Sequence, residues 1–499
     1  MKFLAKPTEA TKFETDLLVV FLPMGKSLSE DVKKVDNILK GEIAEAVEIE
    51  KFEATAGNTL FLSTHGAIPA RRVLVVGVGK IAELSMRDWQ TVGASIARKA
   101  KSVRAKSIAV ALSNEMLDIF GTKESAQGLT EGMVLGAYTF LKHKNRDTQD
   151  KDHVIAEAVF LVQAGRLDSV ANGIHLGELV SSAVIFTRDL VNEPPSTTTP
   201  THLGNVARSI AKNNSQIDCL VLDKEEMKKL SMGGLLGIAQ GSDEEPKFIQ
   251  LTYRGGGNKM IALVGKGITF DTGGLSLKPS EHMETMKLDM AGAAAVLGVF
   301  SVLSVLKPKI NVTGLISATE NMPSGRAIKP GDVVTAMNGK TMEILNTDAE
   351  GRVVLADALS YAGIKVKPDV IIDLATLTGA CMVALGEDIA GLFVNNRELG
   401  EKLKAAAIQS GELIWELPLE KRYKESLKST VADIKNISGK KYGGAINGAL
   451  FLEEFVPEGT PWAHLDIAGP AFAEKDAPLE SFGGTGFGVR LLLHYLLNG

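Results

Sequence analysis

Four acidic residues and two lysines, concentrated in two short stretches and at the head of one apolar segment, are the part of this chain best placed to do chemistry. In IALVGKGITFDTGGLSLKPS (Ile261–Ser280) an apolar run passes directly into Lys266, Asp271 and Lys278, separated by glycines that permit close backbone approach and unusual dihedrals. Asp289 follows at the start of an apolar segment, and NTDAEGR (Asn346–Arg352) carries Asp348, Glu350 and Arg352 at every second position. If that stretch is locally extended, both carboxylates and the guanidinium project to one side. On one side of a domain, Asp271, Asp289, Asp348 and Glu350 would repel one another unless cations compensate them. Two divalent ions would do so. Zinc, manganese, magnesium or cobalt suits such donors, and a bridging carboxylate can hold two ions about 3.5–4 Å apart.

Each residue also has an ordinary role open to it. Asp289 could cap a helix, Asp348 could close an Asx turn, Glu350 and Arg352 could form a surface ion pair, and Lys266 could be a solvated loop lysine. Their joint occurrence beside glycine-rich strand ends favours a site. Other chemistries lack their signatures. There is no HExxH, the eight histidines are scattered, and His282, the one near the motif, reads more naturally as a solvent-facing loop residue. No G-x-S-x-G turn supports a serine nucleophile. Gly77-Val78-Gly79-Lys80 is neither a full dinucleotide fingerprint nor a Walker loop and reads as a tight turn.

The elements that must position these residues follow from periodicity. Short Val/Ile/Leu-rich runs alternate with longer amphipathic stretches, which predicts α/β layers around mixed or largely parallel sheets flanked by helices. Strands are expected at Leu17–Leu22, Arg72–Val76, Ser107–Leu112 and Ala156–Val162. Further along they are expected at Cys219–Leu222, Phe248–Tyr253, Met260–Val264, Val312–Ser317, Val370–Leu374, Gly391–Val394 and Ala463–Ile467. Helical periodicity covers Asp88–Lys101 and Gly128–Leu141, and the polar Lys142–Asp152 reads as an exposed loop. A chain of 499 residues exceeds one ordinary core. The expected organisation is an N-terminal α/β domain over 1–165, a linker helix and connection over 166–196 ending at Glu193-Pro194-Pro195, and a larger catalytic domain over 197–499.

Composition narrows the function classes. Lys and Arg total 55 against 60 Asp and Glu, a net charge of −5 that argues against an electrostatic grip on nucleic acid or anionic lipid. Two cysteines, Cys219 and Cys381, are too few for a disulfide framework. The first residues lack a secretory pattern, so a cytoplasmic location is expected. Met290–Leu306 is uncharged and nearly long enough to span a membrane, but its Ala and Gly content and the Lys307-Pro308 stop fit a central packed helix.

The sequence closely resembles the leucyl aminopeptidase family, the cytosolic two-metal aminopeptidases that include the bacterial aminopeptidase A type. NTDAEGR resembles the family signature and VGKGITFDTGG (Val264–Gly274) its first metal-binding segment. RDLVNEPP (Arg188–Pro195), TLTGAC (Thr376–Cys381) and GGTGFGVR (Gly483–Arg490) extend the likeness across most of the second domain. The resemblance implies one metal on Lys266, Asp271, Asp289 and Glu350, and another on Asp271, Asp348, with its backbone oxygen, and Glu350. It implies Lys278 and Arg352 as the catalytic pair, Arg352 holding a bicarbonate ion. A lysine ligand requires a neutral amine, which two adjacent cations would favour. Thr272 stands where serine is commoner, and Asn447 where threonine is.

The activity implied is removal of N-terminal residues, leucine and other apolar ones preferentially, by a hydroxide bridging two divalent metals. Met286, Thr376, Leu377 and Ala468 are expected to line the pocket for the first side chain, with Asn346 and Gly379 as further substrate-binding positions. Peptides are the expected partners, and a homohexamer is implied by the resemblance. Two alternatives stay open at this point. Another two-metal hydrolase could use similar carboxylates without needing a free amine, and a non-enzymatic interaction protein could retain a relic site.

Overall fold

The computed structural model describes residues 1–25, 28–212 and 214–498. Two compact units emerge: Met1–Ile185 with Lys475–Phe482, and Phe186–Glu474 with Gly483–Gly499. Both are α/β. The first holds a six-stranded sheet of β1 (Lys2–Lys6), β2 (Leu17–Pro23), β3 (Thr59–Ser63), β4 (Arg72–Gly79), β5 (Ser107–Ala111) and β6 (Glu157–Leu161) in the order β1-β6-β5-β2-β4-β3. All neighbours are parallel except β3 and β4. The buried central runs LLVVFLP and RVLVVGVG were legible as strands; β1 and β3 were not expected. They are sheet edges whose side chains are only partly buried, so they lack a continuous apolar run. Lys142–Asp152 is exposed but contains a short helix, Arg146–Lys151, because Asn145 caps it through Thr148 N–H at 2.9 Å.

Helices α1 (Met86–Ser102) and α2 (Thr122–Ala137) pack unusually closely in this unit. Gly128, Gly132 and Gly136 recur at four-residue spacing on α2. A Cβ at Gly132 would lie 2.0 Å from the Gln90 carbonyl oxygen, and one at Gly136 would lie 2.5 Å from Ala94 Cα. Gly132→Ala is therefore expected to cost the first unit about 1–3 kcal/mol through overpacking. Thermal unfolding of the full chain checks this, and an unchanged melting profile would contradict the close approach.

Gly77–Gly79, expected in a tight turn, are instead the last residues of β4, and both glycine amides are taken by neighbouring backbone. Gly77 N–H donates to Asn58 O at 2.9 Å, and Gly79 N–H donates to Ala54 O at 2.8 Å. The glycine at 77 admits that neighbouring backbone, since a Cβ there would meet Thr55 O at 2.4 Å. Helix α3 (Leu167–Asn192) runs on past the division between the units.

The second unit is built on an eight-stranded mixed sheet. Its strands are β7 (Ile217–Leu222), β8 (Lys247–Arg254), β9 (Met260–Asp271), β10 (Asn311–Asn321), β11 (Val370–Ala375), β12 (Ile389–Val394), β13 (Leu413–Glu416) and β14 (Trp462–Asp466). The order is β13-β12-β14-β11-β9-β10-β8-β7, with β9 parallel to both β10 and β11, and β11 parallel to β14. Strand β9 continues seven residues beyond the apolar run expected to end at Val264, because β10 pairs with it as far as Asp271. That extension carries Lys266 and Asp271 along one ladder.

Two helices flank β9 on opposite faces. Helix α4 (Ala291–Leu306) comes so near that a Cβ at Gly265 would lie 2.7 Å from Ala293 Cα, and one at Gly292 would lie 2.2 Å from Leu374 O. Residues 291–300 are all buried, the pattern of a central core helix. The alternate face, with Ala262 and Val264, shares a core with Val353, Val354 and Leu355 of α5 (Glu350–Tyr361).

Candidate metal centre

Strand β9, the turn after it, the approach to α4 and the start of α5 meet at the carboxyl end of the central strands. Lys266, 3 % exposed, points its ammonium at Asp289 Oδ1 (2.7 Å), Glu350 Oε1 (2.9 Å) and the Thr376 carbonyl (2.9 Å). Lys278, beyond the turn, reaches Asp271 Oδ2 at 2.9 Å and Asp348 Oδ1 at 2.5 Å. Oxygens of Asp271, Asp348 and Glu350 all lie within 4.8 Å of one another, close enough to share an ion. Asp289 Oδ1, beside the Lys266 ammonium, also takes a hydrogen bond from Thr376 Oγ1 at 2.6 Å.

The turn itself is built to bring these groups together. Asp271 Oδ1 accepts from Gly273 N–H and Asn321 Nδ2, both at 2.8 Å. Gly273 sits at φ +84°, where a Cβ would also lie 2.5 Å from Ser276 O and 2.8 Å from Asp348 Oδ1. Only glycine leaves that cradle open. At Gly351 a Cβ would lie 2.7 Å from Lys266 Nζ, so the second motif is also small where the first must approach.

The electrostatics show a cluster short of positive charge. Burial pushes the carboxyls of Asp289, Asp348 and Glu350 up, and for Glu350 the charge of Asp271 pushes the same way. Burial lowers the two lysines, but the surrounding carboxylates outweigh it and hold both ammoniums charged, above the usual lysine range. Asp289 Oδ2 and Glu350 Oε2 are buried without a hydrogen-bond partner, while Glu350 Oε1 faces the Lys266 ammonium. Unsatisfied anionic oxygens in the interior are costly, and the donor set of carboxylates with one lysine fits hard or borderline divalent ions. The residues present therefore fit the metals expected from the sequence.

One local expectation needs correction, and one of the ordinary roles open to these residues is excluded. Asp348, Glu350 and Arg352 do not alternate along an extended segment, because α5 begins at Glu350 and its apolar face VVLADALSY imposes helical geometry. Asp348 is in the preceding turn, its N–H donating to Asn346 Oδ1 at 2.9 Å. Asp289 does not cap α4. It lies in a 3-10 turn, Met286–Met290, and its carboxylate is engaged by Lys266 and Thr376.

A cavity of about 530 Å³ opens at this cluster, lined by Lys266, Asp271, Lys278, Asp289, Asp348 and Glu350. Met286, Thr376, Leu377, Gly379 and Ala468 line it too, so most of the residues expected to bind substrate share one space with the carboxylates. His282 is exposed on a short helix at its edge. Asn346 is not among the lining residues; its side chain orients Asp348. Arg352 is also outside the lining. It is buried, Nη1 donates to Asn436 O at 2.9 Å, and Nε has no hydrogen-bond partner. Burial lowers its pKa to about 10 against the raising effect of Glu350 and Asp466. Thr272 uses its hydroxyl to tie the turn to Asn321 O at 2.7 Å, and Asn447 is buried near Ser426 and Ser438.

Several supporting residues were not singled out from the sequence. Asn321 bonds both Asp271 and the Thr347 carbonyl, and Thr347 Oγ1 donates to Gly273 O at 2.6 Å. Asn436 joins Leu345, Asn346 and Arg352. A buried asparagine at the end of an apolar strand, as in NVTGLISATEN, was the available signal for Asn321.

Comparison with known proteins covers both units of the chain. Residues 185–493 match the family model described as "Cytosol aminopeptidase family, catalytic domain", and residues 19–147 match its N-terminal domain. The "Probable cytosol aminopeptidase" of Alkaliphilus metalliredigens (strain QYMF) is 41 % identical over 99 % of this chain and 98 % of its own. That of Aquifex aeolicus (strain VF5) is 42 % identical over 100 % and 98 %. Among solved structures, a tomato leucine aminopeptidase mutant is similar with a TM-score of 0.90 and 36 % identity, covering 100 % of this chain and 97 % of that one. "Bottromycin maturation enzyme BotP in complex with Mn" is similar with a TM-score of 0.83 and 34 % identity, covering 97 % and 99 %.

Proposed function

This chain belongs to the cytosol aminopeptidase family, and from that premise we propose that it releases leucine and other apolar residues from peptide N-termini with two divalent ions held at the carboxylate cluster. It is a metal-dependent aminopeptidase, a hydrolase of peptides that binds divalent metal. The observation that carries the finer reading is the convergence of four carboxylates around two ammoniums, with Asp289 Oδ2 and Glu350 Oε2 left unbonded.

In this reading Lys266, Asp271, Asp289 and Glu350 would hold one ion. Asp271, Asp348, through side chain and backbone oxygen, and Glu350 would hold the other. Zinc or manganese suits the set best, with magnesium or cobalt as alternatives. When bound, the ions would supply Lewis acidity toward the scissile carbonyl and make water a stronger acid near neutral pH. Lys278, an ammonium that lines the cavity, would donate to the oxygen on which charge develops. Arg352, with an unbonded Nε, offers a fork that would hold a planar bicarbonate, whose chemistry there would be that of a weak base. Met286, Leu377 and Ala468, with Thr376 and Gly379, would receive the first side chain, while Asn346 would act by holding Asp348.

The metal reading is tested by removing divalent ions with a chelator, assaying leucine amide hydrolysis, and restoring zinc or manganese. Loss and recovery of activity are expected; indifference to chelation would contradict it. N-acetylated leucine amides should be refused, because acylation delocalises the lone pair of the terminal amine into an amide and leaves the nitrogen a poor ligand for a divalent ion. We also infer a cytoplasmic homohexamer, which light scattering of the purified chain checks.

A further inference from the structure

We infer that Asp466 is a positioning residue that sets the shape of the first-side-chain pocket, an inference that rests on the pocket proposed above. Strands β11 and β14 are parallel neighbours with Ala375 opposite Asp466, so the loops leaving them, 376–379 and 467–469, start side by side. These loops supply Leu377 and Ala468 to the cavity. Asp466 is fully buried and has no place in the metal cluster. Its Oδ1 accepts from Leu377 N–H at 3.1 Å, Thr378 N–H at 3.3 Å and Ala468 N–H at 3.3 Å, and its Oδ2 accepts from Thr378 Oγ1 at 2.6 Å.

One carboxylate thus fastens both loops at the residues that face the pocket. Charge-assisted bonds of this kind are shorter and stronger than neutral ones, and in a buried setting they define a single loop geometry. The loop is tied at its other side to the metal residues, since the Thr376 carbonyl accepts from Lys266 at 2.9 Å and its hydroxyl donates to Asp289 at 2.6 Å. Asp466 itself lies among rigid neighbours. On the same face of β14, His464 Nδ1 is 2.6 Å from Asp373 Oδ1, and its ring stacks near Trp462 and Phe393. The carboxylate therefore joins a fixed strand to two loops whose spacing decides what fits between Leu377 and Ala468.

A residue that sets a pocket wall acts on discrimination between side chains, whereas a residue that only stabilises the fold does not. In the full-length, manganese-loaded protein, Asp466→Asn is expected to lower the leucine-over-alanine ratio of kcat/KM by about tenfold, mainly through KM for the leucyl amide, with metal stoichiometry retained. Thr378→Val removes the shortest bond while keeping side-chain shape and should move the ratio the same way. Thr378→Ser keeps the hydroxyl and should restore it. If Asp466→Asn does not fold, the two Thr378 variants decide. A ratio unmoved by Asp466→Asn and by Thr378→Val overturns the inference. Met286→Ala separates the two levels. If it shifts the ratio and the others do not, the pocket stands and the role of Asp466 falls; if it too leaves the ratio unmoved, the pocket assignment itself falls.

Discussion

Glu350→Gln is expected to reduce bound metal to less than half of the wild-type stoichiometry and to lower kcat/KM on leucine amides on the order of 10³-fold. Glu350 is 1 % exposed at the start of α5; its Oε1 faces the Lys266 ammonium and its Oε2 has no hydrogen-bond partner. Glutamine preserves the volume but replaces an anionic, two-oxygen donor with a neutral amide that has one acceptor. Stability should move the other way. Burial and the charge of Asp271 disfavour the Glu350 carboxylate, and Lys266 keeps Asp289 and the Thr376 carbonyl when Glu350 is neutralised. In chelated protein the variant should melt no lower than the wild type, as expected where a catalytic carboxylate is retained at a cost to the fold. Metal analysis with calorimetry of the chelated forms measures both, and full metal occupancy in the variant would remove Glu350 from the ligand set.

Lys278→Met should lower kcat by roughly 10²–10³-fold, the scale of losing one oxyanion donor, with KM changed far less. Methionine keeps the length and apolar stem but not the charge. The ammonium is held in its charged form because nearby carboxylates outweigh its burial, and it lines the cavity while only 15 % exposed. It is a donor fixed in advance, which is what makes such a group effective when charge appears on substrate. Metal content should survive the change. A variant whose loss lies in KM alone would show that Lys278 holds substrate and does not stabilise the transition state.

The central strands were legible where their apolar runs are buried on both faces, as in LLVVFLP and the MIALV start of β9. Strands β1, β3 and β13 escaped because sheet edges bury little; LIWE of β13 is largely exposed. Among the site residues, the acidic and basic groups stood out by type and by the glycines beside them. Their local conformations did not. Glu350 and Arg352 looked extended because their spacing was read without the apolar periodicity that follows in α5, and the cap role open to Asp289 is excluded only by its carboxylate being taken by Lys266. Asp466 was hidden inside WAHLD, where a buried acidic residue reads as part of an ordinary strand.

By itself the chain of residues determined the chemical inventory: which donors exist, which turns tolerate only glycine, and which runs must be buried strands. The tertiary structure decided which of those donors share a space and which stay unsatisfied. Lys266 meets a carbonyl 110 residues away, and Asp466 holds amides 88 and 89 residues away. Those meetings depend on the register between β9, β10, β11 and β14, where sequence distance carries no weight and the close approach of glycine-bearing backbones sets the separations.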